Sequence, residues 1–354
     1  MKITRVTLDN FMLFDHIDAT FSPNINIICG ENSTGKTALI KLLYSCVNSC
    51  SAAQNARIES TKSDLESILV SKFQGVFRPD KYSIGRLVKR KPGQSRTDIT
   101  VRFDSIEPMQ IGFSRLKDKH IDLDFDLTKF DKDTNAVYIP PKEIISAMEN
   151  FVPLYDQYHI AIEETYYDLA RLLERPLKKG KNTAEQNTVL KNFEKIVDGS
   201  VGQKDRVFFL KATGVGEIEM GLVSEGYRKL STIMYLILSG SLTKDSILFW
   251  DEPETNMNPK MIKPMVDAIV ELAKLGVQVF VTTHDYFVQQ CFNMAQKYPQ
   301  DRKKHLEYQY ISLNRINNNV ELESADTLQG LSHNAVMEEF DALYDREQEL
   351  LYGD

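Results

Sequence analysis

"CGENSTGKTAL", residues Cys29 to Leu39, decides how the rest of the chain is read. Gly30 and Gly35 stand five positions apart, and Lys36 and Thr37 follow at once. The spacing Gly-x-x-x-x-Gly-Lys-Thr is that of a phosphate-binding loop. Its surroundings meet the structural requirement. Asn26-Ile27-Ile28-Cys29 before it reads as the end of a buried strand, and Leu39, Leu42, Leu43, Cys46 and Val47 after it fall on one face of a helix. Glycines let the backbone curl until successive N–H groups point inward as an anion nest. The loop also opens a helix, whose N-terminal end favours phosphate. On this reading Gly30, Glu31, Asn32, Ser33, Thr34, Gly35, Lys36 and Thr37 bind the nucleotide. Lys36 reaches the β- and γ-phosphates, and the Thr37 hydroxyl serves Mg2+.

Composition bounds what such a loop can belong to. The chain has 354 residues, 42% hydrophobic and 26% charged, with a net charge of −7. That is long enough for a sizeable core and predicts two domains or one large composite domain. A strongly basic nucleic-acid protein is not indicated, although local patches remain open. The four cysteines, Cys29, Cys46, Cys50 and Cys291, form no C-x-x-C pair, so packing is expected rather than a metal site or a disulfide framework. Cys29 beside the phosphate loop suits a reducing cytosol. Lys2, Arg5 and Asp9 interrupt any secretory leader, and the longest apolar run, Ile233 to Leu238, is too short to span a bilayer. The expected setting is cytoplasmic, without a membrane.

Along the chain, the opening alternates like strands that turn near Asn10, and residues 38 to 75 read as helical. Residues 84 to 103 look like a hairpin turning at Lys91-Pro92-Gly93, and "AVYIPP", residues 136 to 141, is a short strand stopped by two prolines. Residues 142 to about 202 are rich in Glu, Lys, Tyr and Leu and read as helices broken at Pro176 and Gly180. Beyond them come strands, a long apolar helix from Tyr227, the buried strand "SILFWDEPE", an amphipathic helix from Lys260 and the buried strand "VQVFVTTHD". A hairpin over residues 308 to 322 and a charged terminal helix complete the chain. This alternation predicts an α/β fold with a mostly parallel sheet.

Three further segments carry chemistry. In "ILFWDEPE" a strand ends at Asp251, placed to hold the Mg2+ water shell opposite Thr37, and Glu252 next to it is a candidate to orient the attacking water. In "LVSEGYRKLS" Ser224 and Gly226 precede a long helix, which offers a second anion site, although Ser-x-Gly before a helix is most often only a cap. In "VFVTTHD" His284 follows a buried strand, within reach of a γ-phosphate.

The order of phosphate loop, "VSEG", "LFWDEPE" and "VTTHD" resembles the ABC-type ATPases, and more narrowly the RecF/SMC-like branch that includes OLD-type and bacterial anti-phage ATPases. The opening residues 3 to 39 and "VYIPP" are similar to segments of that branch, and the resemblance covers most of residues 1 to 285 while weak across 142 to 204. It implies a P-loop NTPase with an ABC-type head: a mixed sheet flanked by helices, an antiparallel β lobe and a short inserted helical arm. The implied divisions are residues 1–141 as the N-terminal half of the head, 142–204 as the insertion, and 205–354 as the C-terminal half. ATP and Mg2+ are the implied cofactors. Thr37 and Asp251 serve the metal, Glu252 is the catalytic base and His284 the switch histidine. Ser224 and Gly226 form the signature that contacts the nucleotide of a second subunit. The sequence departs from the pattern at Glu225, where transporters carry glycine, and at Asn258, where relatives often carry histidine. Gln74 is the one candidate for the glutamine loop.

The implied function is an ATPase that forms a homodimer or higher homo-oligomer through its ATP sites and controls a separate effector protein, a nuclease or toxin, in anti-phage defence. The competing readings are a DNA-repair or chromosome-maintenance ATPase that binds DNA directly and, further off, a transporter's ATP-driving subunit. "KKGK", residues 178 to 181, and "VKRKPGQSR", residues 88 to 96, are the only basic clusters; each reads as a solvated turn, with contact to nucleic acid or an acidic partner as the alternative.

Overall fold

The computed structural model describes residues 1–56, 61–92, 96–116, 119–158, 160–204, 206–299, 304–317 and 319–352. In chain order the first half runs β1 (Ile3–Phe11), β2 (Phe14–Thr20), β3 (Ile25–Gly30), α1 (Lys36–Gln54), α2 (Lys62–Phe77), β4 (Arg96–Phe103), β5 (Met109–Ser114), β6 (Asp122–Asp124) and β7 (Asn135–Ile139). Then come α3 (Phe151–Tyr158), α4 (Glu164–Leu173), α5 (Ala184–Val197), β8 (Gly199–Lys204), β9 (Val207–Ala212), β10 (Gly216–Glu219), α6 (Glu225–Leu238) and β11 (Ser246–Asp251). The chain continues through α7 (Pro259–Lys274), β12 (Gln278–Thr283), α8 (Tyr286–Lys297), β13 (Tyr308–Ile316), β14 (Asn319–Ala325) and α9 (Ala335–Tyr352).

The central sheet has six strands in the order β14-β13-β3-β12-β11-β7. All its pairings are parallel except the β13–β14 hairpin at its edge. Parallel strands buried on both faces read as continuous apolar runs, which is how β3, β11 and β12 read, every residue of each being buried. Their side chains alternate between two cores. Ile28, Tyr138, Phe249 and Phe280 face α1 and the N-terminal β lobe. Ile27, Val137, Trp250 and Val281 face α6, α7 and helices α3 to α5.

The N-terminal lobe is a five-stranded antiparallel sheet, β2-β1-β4-β5-β6, and β10-β9-β8 form a third, small sheet. The hairpin expected over residues 84 to 103 is not formed. Ile84–Leu87 is a short 3-10 turn, Val88 makes only a bridge to Phe11, and Arg96–Phe103 pairs with β1 and β5 instead. Gly93 of the expected turn lies outside the described residues. The helical stretch from residue 38 is two helices, α1 and α2, the second opened by a Thr61–Asp64 capping box.

The α4 region is tied to α1 and α2 by ion pairs and hydrogen bonds. Glu163 accepts a hydrogen bond from Lys41 Nζ at 2.5 Å. Lys72, almost fully buried, pairs with both Glu164 and Asp168, and Asp168 also accepts from the Tyr44 hydroxyl at 2.6 Å. Burial would deprotonate Lys72 if it stood alone, yet its two carboxylates hold its pKa above the ordinary value.

Candidate active site

The phosphate loop leaves β3 at Gly30 and enters α1 at Lys36. Gly30 (φ +143°) and Gly35 (φ +98°) both lie in the region that favours glycine. A side chain at Gly30 would overlap the Leu313 carbonyl, and one at Gly35 would overlap the Phe14 ring, so β13 and the β lobe press on the loop from two sides. Glu31, Asn32 and Ser33 are exposed at its crest, while Thr34 is buried and donates to the Glu31 carbonyl at 2.9 Å. Arg315 on β13 braces the crest through the Ser33 carbonyl at 3.1 Å. The Lys36 ammonium donates to the carbonyls of Gly30 (2.8 Å) and Glu31 (2.7 Å). Burial lowers its pKa, opposed by Glu252, Asp251 and other acids nearby. Cys29 beneath the loop is inert, its thiol pushed up to about 12 by burial.

Strand order sets the rest. β11 and β12 lie side by side in parallel register with Asp251 opposite Thr282, and β12 pairs with β3. The ends of β11 and β12 therefore open beside the loop. The buried Asp251 carboxylate accepts from Thr37 Oγ1 (2.9 Å), Thr282 Oγ1 (2.5 Å) and the Tyr138 hydroxyl (2.9 Å). Burial raises its pKa, and the three hydroxyls oppose that shift. Glu252 adopts a left-handed backbone (φ +44°), strained for a non-glycine residue, and its N–H donates to Thr282 Oγ1 at 3.0 Å. Its carboxylate lies 3.1 Å from His284 Nδ1. That bond lowers the Glu252 pKa and raises that of His284. Sequence-predicted residues from three separate segments, Gly30 to Thr37, Asp251 with Glu252, and His284, thus meet in one place.

No hydrogen bond among the described residues ties Ser224 or Gly226 to that group. Ser224 is the exposed N-cap of α6, and its hydroxyl makes no cap hydrogen bond, so the simple capping role does not describe it. Gly226 packs against Met257, and Lys229, buried one turn along α6, donates to the carbonyls of Pro253 (3.1 Å) and Thr255 (2.6 Å). The α6 N-terminus is thereby fixed to the loop that follows Glu252 in its own chain. Gln74, the candidate for the glutamine loop, donates from α2 to the Tyr82 carbonyl at 2.6 Å. Asn258, where histidine was noted as usual, caps α7 through Lys260 N at 3.0 Å.

Four residues escaped the sequence reading. Tyr138 and Thr282 orient Asp251. Thr283 Oγ1 donates to Glu254 at 2.6 Å, and the His284 N–H reaches the same oxygen at 3.3 Å. Glu254 is buried with its other oxygen unpartnered among the described residues, and burial raises its pKa. The usable signal was "DEPE" itself, with a second acid two positions past Glu252, just beyond a strand that must end in the interior.

A phosphate loop opening α1, a histidine past the neighbouring parallel strand and acids at the end of the next define an ABC-type ATPase head of the RecF/SMC-like branch. The chain belongs to the family described as "AAA domain, putative AbiEii toxin, Type IV TA system", whose model matches residues 25–288. Among curated proteins it is similar to the DNA replication and repair protein RecF of Halalkalibacterium halodurans, 48% identical over 44 residues, 12% of each chain. It is also similar to structural maintenance of chromosomes protein 6 of Dictyostelium discoideum, 29% identical over 97 residues, 25% of this chain and 8% of that one. The matches thus span a small fraction of those relatives. Among solved structures, the SMC head bound to the C-winged helix domain of ScpA superposes with a TM-score of 0.55 at 12% identity, over 93% of this chain and 99% of that one. The SMC head domain from Thermotoga maritima does so at 0.50 and 14%, over 92% and 100%. At such identities the likeness establishes the fold. No described helix is long and apolar enough to cross a membrane.

Proposed function

We propose that the chain hydrolyses ATP in a site completed by a second copy, and that this cycle controls a separate effector, a nuclease or toxin, in anti-phage defence in the cytoplasm. The observation that carries the hydrolytic part is the unbroken chain of contacts Thr37–Asp251–Thr282–Glu252–His284, which ties the loop to a carboxylate poised beside it. Lys36 and the loop N–H groups take the phosphates. The donor set offered to Mg2+, a hydroxyl and a carboxylate, is hard oxygen and fits that ion, and a cation there offsets the cost of the buried Asp251 charge. When bound, Mg2+ neutralises charge developing on the phosphates. Glu252, kept ionised by His284, orients and deprotonates water.

The Ser224 hydroxyl, exposed and without a cap hydrogen bond, supports a role in trans. A homodimer would then carry two sites, each made from both chains. Two of the solved SMC heads similar to this chain are bound to a ScpA domain, and the proposed effector would use the head in the same general way.

The test mixes two dead variants. Lys36→Ala removes the loop charge and Ser224→Arg blocks the signature. In the mixed dimer one site carries both lesions and the other is intact, so ATPase activity returns, up to about half if the sites act independently. Wild-type turnover by Ser224→Arg alone overturns the trans site, and wild-type turnover by Lys36→Ala overturns the loop assignment. Duplex affinity across a salt series tests the competing DNA-binding role.

A further inference from the structure

The clusters that the ATP site leaves unused lie at opposite ends of the parallel strands. A cleft of about 780 Å³ opens at the N-terminal ends of β7 and β11, where the "KKGK" turn and the start of α5 meet α1 and α7. Its floor is apolar, with Leu172, Ile237 and Leu275. Its rim carries Lys132, Arg175, Lys178 and Lys244, none ion-paired among the described residues. Counting all its lining, the cleft holds six lysines and arginines against three acids, in a chain whose net charge is −7. A leucine floor is poorly suited to a phosphate backbone. An apolar floor with a cationic rim suits an acidic amphipathic helix laid in a groove.

The chain carries such a helix. α9 has 18 residues, none buried, and is about 27 Å long. It is anchored at its start: Asn334 Nδ2 donates to Gln289 at 2.7 Å, and Phe340 stacks on Tyr286 with centroids 4.2 Å apart. Beyond Phe340 none of the described residues buries it. Leu343, Tyr344, Leu350 and Leu351 share one helical face and are each 60% exposed or more. The helix bears six acids, among them Asp345 and Glu349, and the single base Arg346. Its first turn packs beside β3 and just past the end of β12, at the end of the parallel strands opposite the cleft. A helix held at that pole cannot lie in its own cleft.

We propose that α9 of one copy docks in the basic, leucine-floored cleft of a second copy. The contact is head-to-tail, so its repetition builds a ring or a chain of heads. It needs no nucleotide and is independent of the ATP-dependent pairing above.

The experiment is sedimentation velocity on the full nucleotide-free chain over a concentration series, with circular dichroism to confirm folding. Two charge-reversed variants are made. Arg175→Glu with Lys178→Glu turns the cleft rim acidic, and Asp345→Lys with Glu349→Lys turns α9 basic. The wild type associates as its concentration rises. Each variant alone sets like charges against each other and associates about tenfold more weakly or worse. An equimolar mixture associates again, since each variant's intact partner surface remains and the two reversed surfaces match each other. A wild type that stays monomeric throughout, or association unchanged in both variants, overturns the proposal. So does a cleft variant that loses salt-sensitive binding to a single- or double-stranded oligonucleotide while its mass matches wild type, which would make the cleft a nucleic-acid site.

Discussion

Tyr138→Phe isolates one hydroxyl at the candidate metal site. Tyr138 is 1% exposed, and its ring packs against Tyr44 at 5.2 Å, so phenylalanine fills the same space. What is lost is a 2.9 Å hydrogen bond to a buried carboxylate. Hydrogen bonds to charged groups contribute about 1.5–3 kcal/mol. At about 1.4 kcal/mol per factor of ten, losing it disfavours the ionised carboxylate about tenfold or more, so the Asp251 pKa rises further. The sign is set by the donor: the hydroxyl favours the ionised carboxylate, and burial has already pushed the pKa upward. Mg2+ needs that carboxylate ionised. The acid limb of kcat/KM for ATP therefore moves to higher pH, with roughly tenfold lower activity on the limb. Activity well above the limb stays near wild type. The assay is steady-state ATPase from acid to mildly alkaline pH at saturating Mg2+, with melting followed at each pH. Superimposable acid limbs in a folded variant would refute the role given to Tyr138. If a plateau defect appears without a limb shift, the hydroxyl acts on something other than Asp251 ionisation.

Glu252→Gln retains ATP binding but slows turnover at least a hundredfold, since glutamine cannot take the proton, and the His284 pKa falls back toward its ordinary value by imidazole NMR; unchanged turnover refutes the assignment. Glu254→Gln tests a buried charge. Its folded pKa is raised, so ionisation removes stability as pH climbs from the unfolded carboxylate pKa through the folded one, and the variant should melt at or above wild type near pH 8, with the advantage shrinking toward pH 5. Lys72→Met strands Glu164 and Asp168 in the interior and costs about 3–5 kcal/mol in urea unfolding, while adding Glu164→Gln and Asp168→Asn recovers most of it. Gly30→Ala, which forces a side chain into the Leu313 carbonyl, should abolish nucleotide binding even if the chain still folds.

What the sequence disclosed was whatever lies contiguous along it. Gly30 to Thr37 sit between a strand and a helix that the loop itself demands, and Asp251, Glu252 and His284 each follow an apolar run that ends in polar residues. Tyr138 and Thr282 were hidden because their role depends on β11 lying between β7 and β12, a matter of strand order that no local pattern records. The hairpin at residues 84 to 103 failed for a related reason. Alternation in Arg96–Phe103 marks a strand but does not name its partner, and β1, some ninety residues away, supplies it. Gln74 was a matter of residue type alone, with no contact to support it. The basic "KKGK" was visible as a charge cluster, yet its apolar floor is assembled from α4, α6 and α7 and became legible only in three dimensions.

The position of β3 in the sheet has a consequence for synthesis. Its two neighbours, β12 and β13, begin at Gln278 and Tyr308, so no strand made before residue 278 lies beside the one that carries the phosphate loop. Asp251 likewise reaches its Thr282 donor only after β12 has been made. A ribosome-bound chain displays the Gly30–Thr37 segment early but cannot shape it until most of the remainder has emerged. Such long sequence separations also make closure slow, because much chain must be gathered before the central pairing is rewarded. On the proposed nucleotide role, the nascent protein would gain the ability to bind only once β12 and β13 can close around the loop.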